Sequence, residues 1–121
     1  MRGKLTVLVP CKNEQRNIGA CIASFRDLAD EILIADSGST DETLAIVRAM
    51  GCCRIVEREY RTSGDFKNWA IPQASYPWVL LIDADERVTP ALAREVQDLL
   101  AEGPDMYQRP NPARRLGRPA M

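Results

Sequence analysis

The chain has no histidine among its 121 residues. That absence removes Ser-His-Asp and Cys-His catalysis within the chain, and with it every histidine-bearing zinc site. Cysteine is sparse. Cys11, Cys21, Cys52 and Cys53 contain no Cys-x-x-Cys spacing, and the adjacent pair is poorly placed to bridge itself. Buried, reduced thiols are the expected state. No apolar run is long enough to cross a bilayer, and Leu5–Val9 is too short for a signal-peptide core. The default compartment is therefore the cytoplasm. Net charge is −1, so no global field favours nucleic acid. The charge is uneven, however. Residues 104–121 hold four arginines against Asp105, a net of +3, and the remainder, with 12 basic and 16 acidic groups, carries −4.

What the chain does have is an apolar run that ends in acids. Trp78-Val79-Leu80-Leu81-Ile82 reads as a strand buried on both faces, and Asp83-Ala84-Asp85-Glu86 follows at its carboxyl end. Alternate residues of a strand point to one side, so extended geometry would bring Asp83 and Asp85 together. Two carboxylates at such a sheet edge suit a hard cation, Mg²⁺ or Mn²⁺, shared with substrate phosphates. The plainer reading is that the acids cap the strand and solvate a turn.

The rest of the chain supplies the context. Leu5–Val9 predicts a first strand stopped by Pro10, and Ile18, Cys21, Ile22 and Phe25 give a helical stripe. Glu31–Ala35 predicts a second strand. Asp36-Ser37-Gly38-Ser39-Thr40-Asp41 then leads into a helix near Thr40, with Ser39 and Glu42 at capping-box spacing, Leu44, Val47 and Met50 facing inward and Gly51 as the stop. Asp36 could accept hydrogen bonds from a ribose or a base, or simply form the turn. Cys53–Val56 predicts a short third strand. Phe66–Ala74 predicts a helix shortened by Pro72; Lys67 on it could reach a diphosphate or simply be exposed. Thr89-Pro90 starts a last helix with Leu92, Val96, Leu99 and Leu100 inside, and Gly103-Pro104 ends it. Alternation of strand and helix implies an α/β fold with a mostly parallel sheet and helices on both faces. Residues 1–103 form that domain. Residues 104–121, rich in Pro and Arg, predict a basic, mostly disordered tail. Such a tail could touch anionic lipid head groups at the inner membrane face, though a bland tail is the simpler reading.

Taken together, Val9-Pro10-Cys11-Lys12-Asn13-Glu14, Asp30-Glu31-Ile32 leading to Asp36-Ser37-Gly38-Ser39-Thr40-Asp41, Lys67-Asn68 and Asp83-Ala84-Asp85-Glu86 resemble the nucleotide-binding half of family 2 glycosyltransferases. The resemblance runs from Leu5 to about Glu102. It is nearest to the bacterial branch that adds sugars to the lipopolysaccharide core. It implies the GT-A (Rossmann-like) fold and a nucleotide-sugar donor, UDP-linked, used for transfer to a glycan or lipid-linked acceptor of the cell envelope. It also implies roles for particular residues. Pro10 and Glu14 match the loop lining the nucleotide, and Asp36 the carboxylate that contacts base or ribose. Asp83 and Asp85 match the metal motif, with Asp85 the closer ligand and Asp83 nearer the ribose.

In that family the acceptor site and the catalytic base follow the metal motif. This chain stops about one helix after it, so no catalytic residue is assigned here. A truncated, incomplete domain is expected, with self-association through an exposed sheet edge. Two alternatives stand beside this reading. One is a nucleotide-binding remnant without transfer activity. The other is a haloacid dehalogenase-like phosphatase, with Asp83 as nucleophile.

Overall fold

The computed structural model describes residues 2–102 and the backbone of residues 114–116. The elements are β1 (Leu5–Cys11), α1 (Ile18–Phe25), β2 (Glu31–Asp36), α2 (Thr43–Met50), β3 (Arg54–Glu57) and α3 (Ser63–Ala70). A 3₁₀ turn (Ile71–Gln73), β4 (Trp78–Leu81), α4 (Pro90–Ala101) and β5 (Arg114–Leu116) complete the described chain. The sheet has the order β3-β2-β1-β4-β5, and every neighbouring pair is parallel. Three residues of the stretch read as a disordered tail, Arg114–Leu116, thus lie beside β4 as a strand. The rest of that stretch lies outside the described residues.

The alternation of side chains divides the core into two layers. Leu5, Val7 and Val9 of β1 join Ile32, Ile34, Trp78 and Leu80 on one face, against Ile22 and Phe25 of α1, Val47 of α2 and Leu100 of α4. Leu8, Leu33, Val79 and Leu81 point the other way, against Phe66 and Ala70 of α3. Both faces of the sheet are covered, which is why the strands read as continuous apolar runs. Burying each such side chain contributes about 1.5–3 kcal/mol.

The ends of the helices follow local chemistry. The Thr89 hydroxyl accepts from Leu92 N at 3.1 Å, ahead of Pro90, and Gly51 closes α2 at φ +71°, donating its N–H to Arg48 O. Pro72 limits α3 to Ala70 and converts the following turn to 3₁₀. The expected capping box does not form. The Ser39 hydroxyl accepts from Asn13 N at 2.8 Å and donates to Asp36 Oδ1 at 2.5 Å. The start of α2 is instead held by Asp41, whose Oδ1 accepts from Thr43 N at 2.9 Å, and the helix begins two or three residues later than its sequence suggests. Ile46, rather than Leu44, joins Met50 against the core. No helix among the described residues is long and apolar enough to cross a membrane.

At the amino edge of the sheet Glu31 ties four segments together. Its Oε1 accepts from Thr6 Oγ1 at 2.7 Å and Ser75 N at 2.8 Å, and its Oε2 from Ser75 Oγ at 2.7 Å and Arg54 Nε at 3.1 Å. Burial alone would raise its pKa, but the donors of Ser75, Thr6 and Arg54 outweigh it and hold the carboxyl below its ordinary value. On acidification the unfolded chain therefore takes up this proton first, from near 4.5. Stability present above that pH is lost as pH falls through the lower, folded value. Glu31→Gln is expected to flatten the acid limb of a denaturant-midpoint profile; an unchanged limb would assign that limb to other groups.

Candidate nucleotide-sugar site

In an open parallel sheet, ligands bind beyond the carboxyl ends of the strands, where neighbouring connections leave in opposite directions. Here that point lies between β1 and β4. Their pairing stops at Leu8 and Leu81, after which Ile82 N still donates to Leu8 O at 3.0 Å. Beyond it β1 continues along β2 alone as far as Cys11, opposite Asp36. Pro10, lacking an N–H, is tolerated where the strand has a single neighbour.

A cleft of about 440 Å³ opens at this edge. Pro10, Cys11, Lys12 and Glu14 line it from the end of β1, and Ser37 from the end of β2. Tyr60, Ser63, Phe66 and Lys67 come from the connection after β3 and from α3, and Asp83, Ala84 and Asp85 from the chain after β4. Of the residues singled out from the sequence, Pro10, Glu14, Lys67, Asp83 and Asp85 are thus brought together. Strand geometry does not carry the last pair. β4 ends at Leu81 and the chain turns at Ala84–Asp85. Glu86 braces that turn: its Oε1 accepts from Asp83 N at 2.8 Å, and its own N–H donates to Asp83 O at 2.9 Å. Buried Ala84 keeps the corner tight, with Asp83 half-buried and Asp85 exposed.

Asp36 is placed differently. It is buried, at 1% exposure, and does not line the cleft. Its Oδ2 accepts from Gly38 N at 2.9 Å and Ser39 N at 2.8 Å. Gly38 takes φ +116°, which a side chain would strain. The carboxylate therefore shapes the turn that carries Ser37 to the cleft. Asn13, in the left-handed region at φ 54°, fastens this turn to the β1 loop. Its Oδ1 accepts from Thr40 N at 2.7 Å and Asp41 N at 3.3 Å. Glu14 N donates to Thr43 Oγ1 at 2.8 Å, adding a further tie.

The thiols near the site stay protonated. Cys11 donates to Asp36 Oδ1 at 3.5 Å, and burial, followed by the Asp36 charge, pushes its pKa far above the thiol range. Burial pushes Cys21 up to about 12. All four cysteines are free.

Sequence reasoning passed over Tyr60, Ser63 and Phe66 as cleft residues. Tyr60 sits in a polar loop without periodicity, and nothing in its surroundings signals a site. The spacing of Phe66 and Lys67 on one helix was the available clue.

Among the described residues no group of three His, Cys, Asp or Glu side chains could hold a metal ion. Asp83 and Asp85 offer hard oxygen donors on the cleft wall, and a Mg²⁺ or Mn²⁺ ion is usually bound through one or two carboxylates, with waters and substrate phosphates completing its shell. The donor set fits a cation shared with a phosphorylated ligand rather than an all-protein cage.

This fold, with its acid-lined cleft at the switch point, is the GT-A arrangement of nucleotide-sugar enzymes. The chain belongs to glycosyl transferase family 2, whose model matches residues 6–117. The match reaches past Glu102 and includes β5. It also takes the place of the dehalogenase-type alternative. The chain is 41% identical over 101 residues to the lipopolysaccharide core biosynthesis glycosyltransferase LpsC of Rhizobium meliloti, covering 80% of this chain and 37% of that protein. It is 31% identical over 105 residues to the glycosyltransferase AglJ of Haloferax volcanii, covering 82% of this chain and 33% of the relative. Among solved structures it is similar to glucosyl-3-phosphoglycerate synthase of Mycobacterium tuberculosis in complex with UDP. There the TM-score is 0.63 at 30% identity, over 69% of this chain and 34% of that one. The same enzyme with Mn²⁺, UDP and glucosyl-3-phosphoglycerate gives a TM-score of 0.61, over 68% and 33%. The chain spans about a third of the length of each of these relatives.

Proposed function

We propose that this chain is the donor-binding part of a glycosyltransferase that takes a UDP-linked sugar, for transfer to a cell-envelope glycan such as the lipopolysaccharide core. The observation that carries the reading is the meeting of Asp83, Asp85, Glu14 and Lys67 on one cleft at the switch point. The charges make sense together. Lys12 and Lys67 face three carboxylates there, so a bare diphosphate would meet net repulsion. Asp83 and Asp85 would hold Mg²⁺ or Mn²⁺ and so turn that repulsion into attraction. When bound, the ion supplies Lewis-acid neutralisation of the charge that grows on the departing diphosphate. Lys67 adds a point charge from α3. Pro10 and Glu14 present the loop against which the nucleoside lies. Asp36, by holding Ser37 and Gly38, shapes the floor beside it. The reading assigns donor binding to these residues and no catalytic base among them. The LpsC likeness, together with the UDP and Mn²⁺ named for the solved enzyme, supports the choice of donor, metal and acceptor class.

Calorimetric titration with UDP, with and without Mn²⁺, tests the reading. Binding is expected to strengthen markedly with the metal. Metal-independent binding, or none, would overturn it.

A further inference from the structure

Among the described residues Tyr60 is the one large hydrophobic side chain left exposed, at 50%. A single exposed aromatic is ordinary, but this one lines the cleft. Its ring is also held in place. Tyr60 and Phe66 have centroids 5.9 Å apart at 42°, and Phe66 and Trp69 are 5.2 Å apart at 50°. Phe66 is 2% exposed and belongs to the core layer beneath α3. The far end of the row is fixed as well, since the Arg58 guanidinium lies 5.7 Å over the Trp69 ring and 3.5 Å from Asp65 Oδ2. The row therefore runs from the core to the cleft wall and ends in a half-open ring.

The sheet order says which part of a donor meets that ring. Tyr60 follows β3 and the aspartates follow β4, with β2 and β1 between them. Three strand spacings separate those strand ends by about 14 Å. An extended nucleoside diphosphate spans such a distance from its terminal phosphate to its base. The transferred sugar is bonded to that terminal phosphate, so it stays at the aspartate end. We propose that Tyr60 is the stacking platform for the nucleobase of the donor, setting nucleoside affinity at the end of the cleft opposite the metal. This rests on the donor reading above and names a residue that reading leaves unused.

The test is a set of titrations on the whole chain with UDP and Mn²⁺, and with pyrophosphate and Mn²⁺. Tyr60→Ala is expected to weaken UDP about five- to 150-fold, the range for losing one base–aromatic stack. Tyr60→Phe should retain the affinity of the unaltered chain, and pyrophosphate should bind all three proteins alike. Because the side chain is half exposed, the fold should survive, which thermal melts by circular dichroism would check. Unaltered UDP affinity in Tyr60→Ala overturns the stacking role and leaves the donor reading standing. An equal loss in Tyr60→Phe, or an equal loss for pyrophosphate, also overturns it. If the unaltered chain binds pyrophosphate with Mn²⁺ but not UDP, the nucleoside part of the donor reading falls and the stacking role with it.

Discussion

Asp85→Ala is expected to remove the manganese dependence of UDP binding and leave the melting temperature nearly unchanged. Asp85 is exposed at the turn after β4, so truncating it opens no hole in the core. With Asp83 it makes up the pair of acids that close the β4 side of the cleft. Losing even an outer-shell partner of a metal ligand costs about 10–100-fold in affinity, and losing a ligand itself should exceed that. Asp83→Ala is a less clean probe, because the Asp83 side chain is half-buried and its removal also disturbs packing at the turn. Calorimetry at fixed Mn²⁺ would show the loss. Retention of metal-enhanced binding by Asp85→Ala would move the cation site away from this corner.

Asp36→Ala should act in the opposite sense, lowering stability sharply. Its buried carboxylate accepts from Gly38 N, Ser39 N and the Ser39 hydroxyl at 2.5–2.9 Å. Alanine would strand those donors, each at about 1–3 kcal/mol, so a net loss of about 3 kcal/mol is the expected result. For a domain of this size that lowers the melting temperature by about 15 °C. The denaturant midpoint would report it, and a loss under about 1 kcal/mol would mean that water or a rearranged turn replaces the carboxylate. The two substitutions separate binding from folding at the ends of β4 and β2, which flank β1.

Most of the fold was legible in the chain because its signals are local and redundant. The apolar runs of β1, β2 and β4, the Ile18–Phe25 stripe, the Thr89-Pro90 start and the Gly51 stop each fix an element without knowledge of the others. Parallel pairing follows from their alternation. What failed depended on competition between partners. Ser39 has capping spacing to Glu42, but Asn13 and Asp36 claim its hydroxyl first, and no local pattern announces Asn13, 26 residues away. Asp36 had two readings, a contact to ribose or base and a turn-forming carboxylate, and the structure shows the bonds of the second, to Gly38 N and Ser39 N two and three residues on. Asp83 and Asp85 were found through strand alternation, yet the structure unites them through a turn. Tyr60 was invisible because its placement comes from α3 docking its aromatic row onto the sheet. β5 lies in an arginine-rich stretch whose composition resembles an unstructured segment, and β4 gives it a place beside an already formed edge.

Asn13 has one more consequence. Its side chain holds backbone amides of a loop that lies 27 and 28 positions further on, and Ser39 returns the bond. The segments after the first and second strands therefore form a matched set. Chimeras assembled from relatives should keep their crossover points outside residues 13–43, so that each loop inherits its own counterpart.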